Sequence, residues 1–296
     1  MKSPLFPPLN KHGFTLIEIA IVMVIIGLLA GGGVSLMGML TKRKARNETM
    51  DYLRQAKQAL VSYASIHGKL PWADTDGDGY QNTNATSGTL AYLDLEVRPT
   101  DPYKRVLNYG INSNLGTDRP TSCRALKMGL SSGPRVIDGD GAATPFYVAA
   151  ILISGGPMDA DSDGDVFDAV TSGPHQGDNT DGTPNYLRHP PINTFDDLVV
   201  YIGGNELYGN LCEYLTLAVN NGPGEPTAYV WDANQGIDLP PPIPGGGSEL
   251  YEIISGTRIG IWSAAGGPGG GGSIIASNPP TPISLAGNGF TITIPP

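Results

Sequence analysis

From Phe14 to Leu40 the sequence runs for 27 residues with a single charged side chain, Glu18. As a helix rising about 1.5 Å per residue, this stretch is about 40 Å long, the reach needed to cross a bilayer. Gly27 and Gly31 to Gly33 loosen it without ending it, because small residues are common in membrane helices. A carboxylate buried in lipid is costly, and an ionisable group in such a segment as a rule has a functional partner. The run therefore sets a long helix at one end of the chain and asks what Glu18 pairs with.

Two plain readings compete. One is a secretory signal peptide with Lys2 and Lys11 as its basic flank. The run is too long for the apolar part of such a peptide, no clean A-x-A site follows it, and no cysteine is placed for lipidation. The other is a membrane anchor in which Glu18 is incidental, which leaves the carboxylate unexplained.

The segment "GFTLIEIAIVMVIIGLLA" resembles the N-terminal signature of type IV pilins and of the pseudopilins of type II secretion. Gly13, Phe14, Thr15, Leu16, Ile17 and Glu18 carry the resemblance. It implies that a prepilin peptidase cuts after Gly13 and that the new N-terminal Phe14 is methylated. It also implies that the apolar helices pack into a filament core, with Glu18 paired to the terminal amine of a neighbouring subunit. The physics agrees, since a cation beside a buried carboxylate offsets the cost of burying it. Lys42, Arg43, Lys44 and Arg46 outnumber Lys2 and Lys11, so a positive-inside count alone would leave the C-terminal part in the cytoplasm. The family's cytoplasmic leader implies the opposite: a single-pass inner-membrane protein with its head in the periplasm and its basic cluster at the outer headgroups.

Bulk numbers bound the rest. The formal net charge is −10, and from Asn47 onward there are 12 basic and 27 acidic residues, a balance near −15. That argues against a nucleic-acid partner, which needs a basic face, and suits solubility or cation binding. Gly (41) and Pro (26) together stay just short of a disordered composition and concentrate late in the chain. Cys123 and Cys212 are expected to be joined in an exported domain, with two buried thiols as the alternative.

Along the chain, residues 1–13 read as a leader and 14–40 as the transmembrane and assembly helix. Met50, Leu53, Ala56, Leu60 and Tyr63 continue it as an amphipathic stripe to about residue 67, with Gly68 as a stop. β-rich segments follow at 105–111, 145–154 and 197–202, then at 227–232, 257–263 and 289–295, while 205–222 reads as helix or strand. "PPPIPGGG" (240–247) reads as a linker and "AAGGPGGGG" (264–272) as a flexible loop. The predicted class is α+β: a long N-terminal helix packed on an antiparallel sheet head over 41–204, with a loop-rich β extension over 205–296. Pro71–Trp72, Asp101–Pro102–Tyr103 with Asn108–Tyr109, and "FDDLVVYI" are similar to pseudopilin head segments.

Two acidic loops have the spacing of a calcium ligand set. "DTDGDG" places Asp74, Asp76 and Asp78 at alternate positions, and "DADSDGD" places Asp159, Asp161, Asp163 and Asp165 likewise. Alternating carboxylates followed by glycine can fold around Ca2+, which takes six to eight oxygens. Both loops lack the glutamate of an EF-hand, having Ala85 and Val170 at the twelfth position. The resemblance to the major pseudopilin implies that Asp196 and Asp197 complete the second site. A solvated Asp–Gly turn is the alternative for both loops.

Catalysis finds little in the sequence: after the leader only His67, His175 and His189 remain, with no zinc pair, nucleophile elbow or phosphate loop. Trp72, Trp231 and Trp262 read as packing residues. The expected function is that of a non-enzymatic filament subunit, a minor or tip subunit or a pseudopilin, assembled with other pilin or pseudopilin subunits. Prepilin peptidase, an inner-membrane assembly platform and the lipid bilayer are its further partners. A filament-displayed adhesin or binding module comes second, and a membrane-anchored periplasmic hydrolase last.

Overall fold

The computed structural model describes residues 15–139, 145–162, 164–170, 177–179, 185–271, 273, 283–284 and 290–294, with backbone alone at 30–36, 283–284, 290–291 and 293–294. The chain divides into two compact units, Met1–Glu48 and Thr49–Pro296.

Helix α1 spans Leu16–His67, 52 residues. In the first unit its described apolar side chains are exposed: Leu16 is 89% exposed, and Ile17, Ile21, Val24, Ile25 and Leu28 are exposed as well. Among the described residues no helix is long and apolar enough to cross a membrane. Phe14 and the side chains of residues 30–36, which belong to the apolar run, lie outside that set.

In the second unit α1 becomes one-sided. Leu53, Ala56 and Leu60 of the expected stripe are fully buried, joined by Tyr52 and Ala64, while Met50 and Tyr63 lie at its margins. The helix stops where expected. Gly68 has φ +75°, and a Cβ there would come 2.8 Å from the Cβ of Arg119, so the turn needs glycine on both counts. The buried stripe packs on an antiparallel sheet ordered Ser87–Thr89, Asn108–Ile111, Ala150–Ser154, Leu198–Ile202. Leu107, Tyr109, Ile111, Leu152 and Ile202 meet the helix. Ile151 and Ile153 point the other way, into a second cluster with Val136, Val148 and Tyr186. The Ala150–Ser154 strand is thus covered on both faces, which is why its sequence is apolar without alternation.

Helix α2 (Arg119–Met128) starts at Asp118, whose carboxylate accepts from the Thr121 amide at 2.8 Å. A disulfide joins its Cys123 to Cys212, which caps helix α3 (Gly204–Leu211), with Cα atoms 5.5 Å apart. In the native protein, alkylation without reductant should therefore label neither cysteine, folded or denatured. Labelling of both would refute the bond.

Beyond α3 the expected strands near 227–232, 257–263 and 289–295 are present, as Ala228–Asp232, Arg258–Trp262 and Phe290–Ile294, and further strands join them. The Tyr214–Asn221 strand pairs antiparallel with Ser248–Ile254 and parallel with Phe290–Ile294. A second sheet is ordered Ile237–Ile243, Ala228–Asp232, Arg258–Trp262, Ile283–Ser284. The two sheets bury a shared core of Leu215, Leu217, Val219, Val230, Ile253 and Ile261, among others, so the region is a β-sandwich. The proline run is no linker: Ile237–Ile243 is an edge strand, where the missing N–H groups of proline cost no ladder bond. Nor is the glycine run loose. Gly267 has φ +52° and lies against the indole of Trp231, where a Cβ would come 2.3 Å from the ring.

Candidate assembly end and metal centre

Gly13 and Phe14, the expected cleavage and methylation residues, lie outside the described residues. The first described turn of α1 holds Glu18. The Thr15 amide and hydroxyl donate to Glu18 Oε2 at 2.8 and 2.9 Å, and the Glu18 amide donates back to Thr15 Oγ1 at 3.3 Å. This is a reciprocal capping box, which meets two of the orphan amides at a helix start. Glu18 is exposed, so its carboxylate is held in place yet open to a cation.

The second acidic loop folds back on the segment entering the Leu198–Ile202 strand. Carboxylate oxygens of Asp168, Asp196 and Asp197 lie within 4.8 Å of one another, and so do those of Asp159, Asp161 and Asp168. Asp168 is the hub of both groups, fully buried, and sequence reasoning missed it. It stands tenth in the loop beginning at Asp159, whereas the calcium-loop pattern directs attention to the twelfth position, Val170. Asp163 lies outside the described residues. Among the described residues Asp165 joins neither group; its Oδ1 accepts from the Phe167 amide at 2.6 Å.

The hydrogen bonds show where negative charge is left over. Asp159 accepts from the Ser162 and Gly164 amides at 2.6 and 3.1 Å, and Asp161 from the Ala169 amide at 2.7 Å. Asp168 accepts from the amides of Ala160 at 2.8 Å and Asp196 at 2.6 Å. Asp197 is 3% exposed. Its Oδ2 accepts from the Asp168 amide at 3.0 Å and from Asn179 Nδ2 at 2.9 Å. Its Oδ1 is buried with no hydrogen-bond partner among the described residues. Burial, opposed by the Asn179 hydrogen bond and reinforced by the charges of Asp168 and Asp196, pushes the Asp197 carboxyl up to about 8. Backbone fits closely here: Gly156 has φ +57°, and a Cβ on it would come 1.9 Å from Asp196 Oδ1. An orphaned buried carboxylate oxygen beside two further carboxylates is a donor set suited to a hard cation.

Comparison with known proteins bears on the other end of the chain. The sequence profile of the prokaryotic N-terminal methylation motif matches residues 8–34. That motif supports a place in the type IV pilin and pseudopilin family. It is also similar to the fimbrial protein EcpB of Eikenella corrodens, 33% identical over 105 residues. That match covers 36% of this chain and spans 64% of the relative's length. No solved structure matches.

The first acidic loop differs from the second. Asp74, Asp76 and Asp78 do converge. The Asp74 carboxylate, however, already accepts from the amides of Asp76, Gly77 and Gly79 at 3.1, 2.7 and 2.8 Å. Burial alone would raise its pKa, but the Gly77, Gly79 and Asp76 amides together outweigh it and hold the carboxyl below the usual carboxylate range. The charge of Asp74 is met by amides of its own turn, as in an Asp–Gly turn. Of the histidines, His67 stacks on Tyr63 and His189 lies edge-on to Phe195, and neither joins a carboxylate cluster among the described residues. His175 lies outside them.

Proposed function

We propose that this chain is a structural subunit of a type IV pilus or type II secretion pseudopilus, acting by assembly rather than turnover. The observation that carries the reading is the first half of α1, whose large apolar side chains are exposed around the helix under a capped carboxylate. Apolar surface of that extent has to be covered by lipid or by other helices. In this reading prepilin peptidase removes residues 1–13 and Phe14 is methylated. The helix anchors the chain in the inner membrane with the head in the periplasm. The assembly platform then moves it into a filament, where Glu18 meets the terminal amine of a neighbour. The methylation motif and the likeness to a fimbrial protein support this. Intact mass of the native protein should begin at methylated Phe14. A mature terminus elsewhere, such as after Ala30, sinks the reading.

A calcium ion at Asp168, Asp196 and Asp197, with Asp159 and Asp161 beside them, belongs to the same proposal. The orphaned oxygen of Asp197 supports it. The cation would neutralise the cluster and tie the loop to the sheet.

The size of the head favours a minor or tip subunit over the bulk subunit. The sandwich, with its own core, favours a displayed binding module as the special task of such a subunit. A protease-resistant fragment beginning near residue 205 is expected from limited digestion; rapid loss of that region would leave only the filament role.

A further inference from the structure

Immediately after the apolar run the sequence reads "TKRKAR", placing Lys42, Arg43, Lys44 and Arg46 within five residues. Helix α1 is continuous here, so successive side chains leave it at steps of about 100°. Counted from Lys42, the directions are about 100° for Arg43, about 200° for Lys44 and about 40° for Arg46. The charges make a collar over more than half of the circumference, not a stripe. Lys42, Arg43 and Lys44 are exposed and Arg46 is half-buried. Lys44 pairs with Glu48 at 3.7 Å, a contact between exposed groups that contributes little. Among the described residues Lys42, Arg43 and Arg46 make no ion pair.

We propose that this collar binds the headgroups of anionic phospholipids and thereby fixes the depth of α1 in the bilayer. The inference rests on the membrane-anchored reading above. The distance favours it: α1 from Leu16 to Leu40 spans about 36 Å, more than the about 30 Å of the hydrocarbon core and less than the about 40–45 Å of a bilayer with its headgroups. With Leu16 near one interface, the collar meets the phosphates of the other. The angular spread favours it too. A second copy of this chain, acidic from Asn47 onward, would press on one side of the helix, whereas lipid surrounds it. Basic residues beside an anionic membrane surface gain a favourable interaction that salt screens. A subunit entering a filament gives up these contacts, so the collar also holds unassembled subunits in the membrane.

The test uses the mature full-length protein in detergent, mixed with equal amounts of phosphatidylglycerol and phosphatidylethanolamine and examined by native mass spectrometry. The wild-type protein should retain phosphatidylglycerol several-fold over phosphatidylethanolamine. K42Q/R43Q/K44Q/R46Q should lose the preference, and R43K/R46K should keep it because the charge remains. If the fourfold variant does not accumulate, K42Q/R43Q should show an intermediate preference. Equal retention of both lipids by the wild type, or an undiminished preference in the neutral variants, overturns the proposal. Salt-sensitive oligomers that vanish in the neutral variants, without any lipid preference, would assign the collar to a second copy and overturn it equally. The anchored reading is judged separately: release of the native protein from membranes by carbonate refutes that reading whatever the collar binds.

Discussion

Replacing Glu18 by alanine should leave the precursor processed yet lower its incorporation into filaments by at least about a hundredfold. Breaking a buried ion pair by removing one partner costs about 3–5 kcal/mol, and each 1.4 kcal/mol is about a factor of ten. The variant loses a second contact as well, the reciprocal cap with Thr15, and that loss alone costs about 1 kcal/mol. Thr15→Ala separates the two effects. It removes the cap but keeps the carboxylate, so incorporation should fall by about tenfold or less. The measurement is the ratio of subunit in sheared filaments to subunit in membranes, by immunoblot. Equal incorporation of Glu18→Ala and wild type would mean that the carboxylate has another role.

Removing divalent cations should lower the melting temperature of the protein lacking residues 1–40 by about 5–10 °C. A cation that binds only the folded state at a hundredfold excess over its dissociation constant contributes about 2.7 kcal/mol. For a domain of this size each kcal/mol moves the midpoint by about 2–4 °C. Calcium should restore the midpoint better than magnesium, which demands a stricter octahedral shell and holds its waters. Asp168→Ala and Asp197→Ala should blunt the response; Asp78→Ala, in the self-satisfied first loop, should not. Identical melting curves with chelator and with millimolar calcium would make the second loop a solvated turn.

The same site predicts a pH dependence. In the cation-free folded protein Asp197 keeps its proton to about pH 8, whereas an unfolded aspartate releases it near the ordinary value of about 4. Between these values the folded state binds more protons, so this group's contribution to stability falls as pH rises and is lost through about pH 8. The cation-free wild type should therefore lose melting temperature between pH 5 and pH 8.5 relative to Asp197→Asn, which cannot titrate there. Calcium takes the ionised carboxylate, so the difference should vanish with it bound and calcium affinity should weaken on acidification. A wild-type and Asp197→Asn pair with parallel pH profiles without calcium would count against the buried carboxylate.

Much of the first half of the chain was legible because its signals are local. The 3.6-residue spacing of Leu53, Ala56 and Leu60 marks the buried face of α1, and Gly68 ends the helix through its own backbone freedom. The strand ranges near 108, 150 and 198 follow from short β-branched runs between turns. α2 escaped notice: "RPTSCRALKM" has only a short apolar face, and its helix is secured by the Asp118 cap and the bond to Cys212. The segment 240–247 reads as a linker because proline is a poor strand former, yet its first four residues close the Ile237–Ile243 strand. Its place at a sheet edge, which removes the objection, is a property of the neighbours and not of the segment.

By itself the sequence determined the N-terminal helix, its lone carboxylate, its leader signature and the acidic character of everything after it. These are one-dimensional properties, set by the order and spacing of residues along a single element. Only the tertiary structure decided which carboxylates converge and how each is met. Asp74, Asp76 and Asp78 converge within their own turn, whose backbone amides meet the charge of Asp74. Asp168 and Asp197, 29 residues apart, are brought together when the loop packs on the sheet, which buries an oxygen of Asp197 without a partner. The tertiary structure also decided that a glycine- and proline-rich tail is a sandwich, because strand pairing between distant segments supplies the core that no single segment encodes. Sequence spacing reports what neighbours along the chain can do; desolvation and long-range pairing depend on what folding places beside them.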